Sequence, residues 1–484
     1  MVRAARARRE PLYPTSTGMN WGYGSAQAPV AGCTRIDLSA MRAIRNAAEI
    51  SLANPVAVIE PGVTQGQLHD FLQQHCPALT FNVTGSAVET SVLGNALDRG
   101  VGYHGPRHQD IFGLEVVTGQ GEVLRTGFRR LGESSPLAHT HPCGLGPMLD
   151  GLFSQGNFGI VTSACFRLVP RRPREVAVSM ALRDAQRLPE FIDLLAQFKR
   201  EGLIQSVNHI GNRARTRSTL MHGVVRYLVE HCAMSDAQAR LEAQAALALA
   251  APQEWTSLGA VTGNAGQVRA AVGEMRRRVR GLARLQVVTE RRLDWAFKLI
   301  DCLRSLPLAR RMAAVLSAIR PLHGLCLGRP TDVAVDNLLW QFGAPQLPAA
   351  EFERSDCGLL YISPALPMDG EFVARMLDQL QRLAQGHGHS LHITVNIETP
   401  TSMVAVINLL FDRRDAEQQA RAQRCAHEMN EHLRRAGLEV YRAHVDMMAG
   451  IVARDPEHWR IVHSLKLGLD PDNIIAPGRY NLPG

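Results

Sequence analysis

Two segments at opposite ends of this chain constrain it most. Pro14-Thr-Ser-Thr-Gly-Met-Asn-Trp-Gly-Tyr-Gly24 reads as a tight turn rich in hydroxyls and unhindered backbone N–H groups. Several amide dipoles converging in such a turn make a nest for a phosphate or pyrophosphate. Far downstream, Val440-Tyr-Arg-Ala-His444 and Ile475-Ala-Pro-Gly-Arg-Tyr480 supply a phenol and guanidinium groups. If the segments meet in space, the ends of the chain together build a pocket for anions.

Taken alone, the first turn is a weak signal, because Ser, Thr and Gly are common in ordinary loops. Ser91-Val-Leu-Gly-Asn95 and Gly100-Val-Gly-Tyr103 form a second such loop. Two of them in one αβ region favour a nucleotide cofactor. Neither is a GxGxxG following a strand, so a Rossmann site is poorly supported. Tyr23, Tyr441 and Arg442 are the sharpest chemical candidates. Two O–H donors and a guanidinium stabilise a phenolate or a carboxylate, although composition alone favours a half-buried packing residue for each tyrosine. His387, His389 and His392 cluster as metal ligands do, but the Gly-rich turn around the first two favours a solvated loop. Ser154 and Ser163 lack a GxSxG context.

The total of 484 residues exceeds what one hydrophobic core usually holds, so two or more domains are expected. The formal charge is +8, carried mostly by arginine. Arg276-Arg-Arg278, Arg280 and Arg284 read as a solvated helix face, and no aromatic interleaving points to nucleic acid. No apolar run approaches the ~18 residues of a membrane span. The nine cysteines contain no CxxC pair, so neither zinc nor a disulfide framework is indicated, and reduced thiols in a cytoplasmic protein fit. Residues 1–10 are basic without an apolar core, unlike a secretory signal, and read as the end of a helix whose start lies upstream.

Residues 11–170 alternate short strands and helices. Val56–Glu60 reads as a strand, Thr64 caps a helix from Gln65, and Thr118-Gly-Gln-Gly121 turns a hairpin. Ala237–Ala251 is rich in helix formers. In Leu391–Ile397 the odd positions are apolar while His392, Thr394 and Asn396 face the other way, as in a half-buried strand. Asp412–Ala436 is expected to be one long amphipathic helix, and 441–484 to return to Gly/Pro-rich loops.

These motifs, with Glu60–Thr64, Gly113–Val117, Asp150–Thr162 and Asp470–Tyr480, closely resemble the vanillyl-alcohol oxidase / p-cresol methylhydroxylase flavoprotein family, in the family's own order. The resemblance implies an α+β fold: a split FAD-binding domain of two α+β subdomains with a shortened N-terminus, and a central α+β cap whose antiparallel sheet covers the flavin ring. The expected division is 1–173 for the FAD-binding domain, 174–440 for the cap, and 441–484 for a segment returning to the FAD domain.

Carried over residue by residue, Ser16, Thr17, Gly18, Met19, Asn20 and Trp21 would hold the FAD pyrophosphate. Ser91, Gly94, Asn95 and Tyr103 would line the cofactor, Asn157, Gly159, Ile160 and Val161 would form a strand edge beside it, and Arg479 would touch it from the C-terminal loop. Tyr23, Tyr441 and Arg442 match the family's phenolate-binding trio, and His392 is a candidate base.

The resemblance therefore implies a FAD-dependent oxidoreductase that oxidises a para-substituted phenol through a quinone methide. A 2-hydroxy acid or sugar-lactone oxidoreductase, with Arg442 holding a carboxylate, and a non-catalytic relative are the alternatives. The expected partner is a small molecule, with neither nucleic acid nor a membrane. A homodimer and a cytochrome partner are compatible with the family without being signalled by any residue. Two departures stand out. Leu359 takes the place of the flavin-linking histidine, with Tyr361 nearby, so non-covalent FAD is expected. After Tyr103, Arg107 or His108 is expected where the family carries an aspartate near the flavin.

Overall fold

The computed structural model describes residues 1–339, 342 and 347–483. Three layers of organisation position the site. The first is a small layer built from both termini. The strand Leu12–Thr15 pairs in parallel with Thr34–Asp37 on one side. On the other, Leu12 exchanges backbone hydrogen bonds of 2.7 Å with Ile474 and Ala476. Helix Val2–Arg8 lays Val2 and Ala5 onto the same core, with Tyr13, Ile36 and Ile475. The end of the chain is thus stitched to its beginning by main-chain pairing, which is independent of side-chain identity.

The second layer is a four-stranded antiparallel sheet, in the order Val56–Ile59, Ile160–Arg167, Ile111–Val117, Val123–Arg125. Helix Gln65–His75 covers it, capped as expected by Thr64, whose hydroxyl accepts from the Gln67 N–H at 3.2 Å. Leu68 and Leu72, one turn apart, both reach the core. Ser91–Asn95, expected as a loop, is instead a helix start. Ser91 caps helix Val92–Leu97 by accepting from the Gly94 N–H at 2.8 Å. The same Ser/Gly composition serves a nest and an N-cap, and the buried Val92, Leu93 and Ala96 decide for the helix.

The third layer is an antiparallel sheet of eight strands, seven of which run in the order Ala283–Val288, Arg174–Leu182, Trp255–Gly263, Asn208–Asn212, His392–Ile397, Met403–Asp412, Cys357–Ile362. Helices Leu188–Arg200, Ala265–Arg278, Gly370–Gly386 and Ala416–Arg435 pack on one face through Phe191, Leu195, Met275, Leu377 and Met429. The alternation in Leu391–Ile397 holds: Ile393, Val395 and Ile397 join that core and leave His392, Thr394 and Asn396 on the opposite face. Each such fully buried aliphatic side chain contributes roughly 2 kcal/mol, so a one-residue register slip here is strongly disfavoured. Beside the sheet, helices Arg213–Cys232, Asp236–Ala250 and Pro307–Leu325 form a separate core around Leu228, Leu247 and Ala314.

Several expectations are corrected. Asp412 ends the strand Met403–Asp412, and the long helix starts only after Asp415, which accepts from the N–H groups of Glu417 and Gln418. Residues 441–484 include helices Met448–Arg454 and Pro456–Leu469. The arginine stripe is broken, because Arg278 ends its helix, stacks on Phe198 and pairs with Glu201 at 2.5 Å, while Arg284 lies on a strand. His389 is buried rather than solvated, and His387 bonds Glu428 at 2.7 Å. No described helix is long and apolar enough to cross a membrane.

Candidate active site

A cleft with about 1030 Å³ of space, part of it open to solvent, runs between the first two layers and the C-terminal segment. Its walls include Ser16, Thr17, Gly18, Met19 and Asn20 from the N-terminal turn, and Ser91, Gly94 and Asn95 from the capped helix. Asn157, Gly159 and Val161 line the sheet edge, and Arg442 and Arg479 close the C-terminal side. The Thr17 hydroxyl accepts from the Ser91 N–H at 3.1 Å, which ties the two loops together. Gly94 is required here, since a Cβ at that position would overlap the Ser16 hydroxyl. Hydroxyls, glycines and two guanidiniums around one long cleft suit a dinucleotide with a pyrophosphate at its centre.

Other expected contacts lie off the cleft. Trp21 packs against Phe352 with ring centroids 5.3 Å apart. Ile160 joins the core of the terminal layer. Tyr103 is half-buried against His209, with centroids 4.7 Å apart. Arg107 is fully buried, donates to Asn95 Oδ1 at 3.1 Å and sits over the Phe166 ring at 5.6 Å. It supports the cleft wall from behind and does not stand in for an aspartate at its surface. His108 lies on the same short 3₁₀ turn, and burial, with Arg99 adding, lowers its pKa.

Beyond one end of the cleft, Tyr23, Tyr441 and Arg442 converge. The segment carrying the last two is held by main-chain bonds, from Tyr441 N–H to Ser363 C=O and from Val445 N–H to Tyr23 C=O, each 3.0 Å. The Tyr23 hydroxyl shares a 2.7 Å hydrogen bond with Ser363 Oγ. The Arg442 guanidinium carbon lies 4.3 Å from the Tyr23 ring centroid, a cation–π contact. Desolvation raises the Tyr23 pKa and Arg442 only partly offsets it, while Tyr441 is pushed up by desolvation and by its neighbour Tyr23. Both phenols therefore stay protonated and remain donors.

Asp98 was not signalled by any motif. It is buried between Arg442 and Arg479, with N···O distances of 2.5 Å to each, and Arg479 also donates to the Tyr13 hydroxyl at 3.1 Å. Desolvation alone would raise the Asp98 pKa, but the two guanidiniums hold it below the ordinary carboxylate value. Arg442 further donates to Asn20 Oδ1.

The large sheet presents its polar face to the same region. Tyr361, Asn408 and His392 fall in one register row across three strands. His209 and Asn396 fall in another, joined by a 2.7 Å hydrogen bond. Tyr361 stacks on Tyr23 with centroids 4.9 Å apart, and its N–H bonds Gly22 C=O at 3.2 Å. Leu359 is buried in the apolar cluster of Trp21 and Phe352. Burial lowers the His392 pKa to about 4, and Ser218 Oγ lies 3.2 Å from its Nδ1.

Comparison with known proteins agrees with this geometry. A family described as "FAD binding domain" matches residues 1–127. The 1'-carboxy-chondrochloren decarboxylase of Chondromyces crocatus is 31% identical over 99% of this chain and 87% of its own length. The flavoprotein subunit of 4-cresol dehydrogenase (hydroxylating) from Pseudomonas putida is 25% identical over 100% of this chain and 85% of its own. Among solved structures, the 4-ethylphenol oxidase of Gulosibacter chungangensis in complex with isoeugenol superposes with a TM-score of 0.80 at 23% identity, covering 99% of this chain and 86% of that one. With a full-length relative above 30% identity and a matching split α+β fold, the chain belongs to the p-cresol methylhydroxylase-type family of FAD-dependent oxidoreductases.

Proposed function

We propose that this enzyme oxidises a para-substituted phenol at its benzylic carbon. The carrying observation is the convergence of two protonated phenols and one guanidinium, Tyr23, Tyr441 and Arg442, beyond the end of the cleft. In this reading Ser16–Asn20, Ser91, Gly94, Asn95, Asn157, Gly159, Val161 and Arg479 hold FAD, and the chain divides at 173 and 440. Bound FAD supplies the acceptor for a hydride leaving the benzylic carbon. The Tyr23 and Tyr441 hydroxyls donate to the substrate oxygen and favour its phenolate form. Arg442, its charge matched by Asp98, fixes Tyr23 from its ring face, and the buried surroundings strengthen each interaction by excluding water. Electron density from the phenolate ring makes the benzylic C–H bond a better hydride donor, and loss of the hydride leaves a p-quinone methide. In this reading His392, neutral at pH 7 and on the facing sheet, accepts a proton when water adds or a side-chain proton is lost.

Two relatives support the substrate class by name, one a 4-cresol dehydrogenase and one a 4-ethylphenol oxidase. The 2-hydroxy acid alternative needs Arg442 free for a carboxylate, but Asp98 already holds it at 2.5 Å. Anaerobic titration of the FAD-loaded protein with 4-methylphenol and 4-ethylphenol tests the reading. Bleaching of the flavin absorbance is expected. An unchanged spectrum with both compounds would overturn it.

A further inference from the structure

Arg215 lies in the first turn of helix Arg213–Cys232, just after the strand Asn208–Asn212. Asn212 makes the junction rigid: its Oδ1 accepts from Arg215 N–H at 2.9 Å and Ile393 N–H at 3.1 Å, and its Nδ2 donates to Leu391 C=O at 2.9 Å. The Arg215 stem passes over Gly211, where a Cβ would stand 3.9 Å from Arg215 Cγ. Gly211 pairs with Thr394 in the row next to His209 and Asn396. The side chain therefore crosses the polar face of the sheet.

Its charge acts on four groups that line this region. Burial dominates the titration of Tyr103, His209, Tyr361 and His392, and the Arg215 guanidinium perturbs all four. Tyr361 also feels Arg442, so two cations act on it. The difference between those cations is decisive. Arg442 is neutralised by Asp98. Arg215, half-buried, has no ion pair and no side-chain hydrogen bond among the described residues, while its neighbour Arg213 pairs with Glu254 at 2.7 Å and Arg217 donates to Ala251 C=O at 3.2 Å. The groups around Arg215 are aromatic rings and neutral imidazoles. A guanidinium that keeps no counter-ion among the described residues and still reaches solvent is free to take an anion from a ligand.

We infer that Arg215 binds the carboxylate of a substrate whose phenol end lies against Tyr23, Tyr441 and Arg442. The preferred substrate class is then a 4-hydroxyphenyl acid, with neutral alkylphenols using the phenol contacts alone. This rests on the phenol reading and deepens it. A planar guanidinium takes a carboxylate through two parallel N–H donors, which fixes direction as well as distance. Anchored at both ends, the substrate presents the carbon between ring and carboxylate at a fixed place in the site.

The test compares 3-(4-hydroxyphenyl)propanoate with its methyl ester, which keeps the shape and removes the charge. Binding to the FAD-loaded protein is measured anaerobically by calorimetry, for the wild type and for Arg215→Met and Arg215→Lys. The wild type should prefer the acid. Arg215→Met should weaken acid binding ~10-fold or more, the worth of a charge-assisted hydrogen bond, and leave the ester within about twofold. Arg215→Lys should fall between. A wild type that does not prefer the acid, or parallel changes for acid and ester, would overturn the inference. Flavin bleaching by 4-methylphenol in the same preparation reports the phenol reading separately, so the two can fail independently.

Discussion

Asp98 and Arg442 form a buried ion pair with an N···O distance of 2.5 Å, although they lie 344 positions apart in the chain. The pair sets the charge of the site. Arg442 keeps its orientation over Tyr23 because its charge is already matched, and Arg479 completes the arrangement from the other side.

Replacing Asp98 by Asn should therefore destabilise the protein by about 3 kcal/mol, because two buried guanidiniums lose their shared partner. The Asp98 pKa is lowered in the folded state, so its contribution is present above the ordinary carboxylate value of 3.8 and is lost as pH falls through the lower folded value. Urea unfolding midpoints at pH 7 should drop in the variant. An unchanged midpoint would mean the pair contributes nothing net.

Histidine burial predicts a second acid sensitivity, in a higher pH window. His104, His209 and His392 are held near a pKa of about 4 by burial, below the ordinary 6.5. Between those values the unfolded chain binds the proton and the folded chain does not. Stability should fall as pH drops from 6.5 towards 4, by up to roughly 3 kcal/mol for each group. His392→Asn should flatten part of that slope, read from denaturant unfolding at pH 7 and pH 5.

Tyr23→Phe removes one of the two donors proposed for the phenolate and strands Ser363 Oγ. Anaerobic flavin reduction by 4-methylphenol should slow ~100-fold, in line with the loss of one preorganised donor to a developing anion. FAD content should be retained, because Tyr23 lies outside the cleft walls. Equal rates in variant and wild type would remove Tyr23 from the chemistry.

Flavin attachment should be non-covalent. The position expected for a linking histidine holds Leu359, which is packed against Trp21 and Phe352 and has no nucleophilic atom. Acid precipitation should release all yellow colour into the supernatant. Colour in the pellet would point to Tyr361, and Tyr361→Phe would then abolish it.

Gly94→Ala should lose FAD while the protein stays folded, because the added methyl would displace Ser16 from the cleft wall without entering the main core. Absorbance at 450 nm per protein, with circular dichroism as a control, measures both.

Much of this was legible in the chain itself. The alternation in Leu391–Ile397 determined which face of a strand carries His392 and Asn396, since side chains alternate with a period of two. Thr64 marked a helix start because its hydroxyl satisfies an otherwise orphaned N–H. Motif order indicated the family, and with it the cleft residues Ser16–Asn20, Gly94 and Asn157. Trp21 and Ile160 pack into apolar clusters and Arg107 sits behind the cleft wall, because a motif records proximity in sequence, while neighbouring residues on one segment point in different directions.

The sequence by itself determined the local chemistry: a hydroxyl- and glycine-rich turn, phenols beside a guanidinium, and a strand with one polar face. Only the tertiary structure decided which charges are spent. Arg442 and Arg215 look alike as arginines, yet one meets Asp98 and the other meets neutral rings, because Asp98 and Arg442 are brought together only when the C-terminal segment pairs with Ser363 and Tyr23. Charge compensation acts through space over a few ångströms, so no spacing along the chain encodes it.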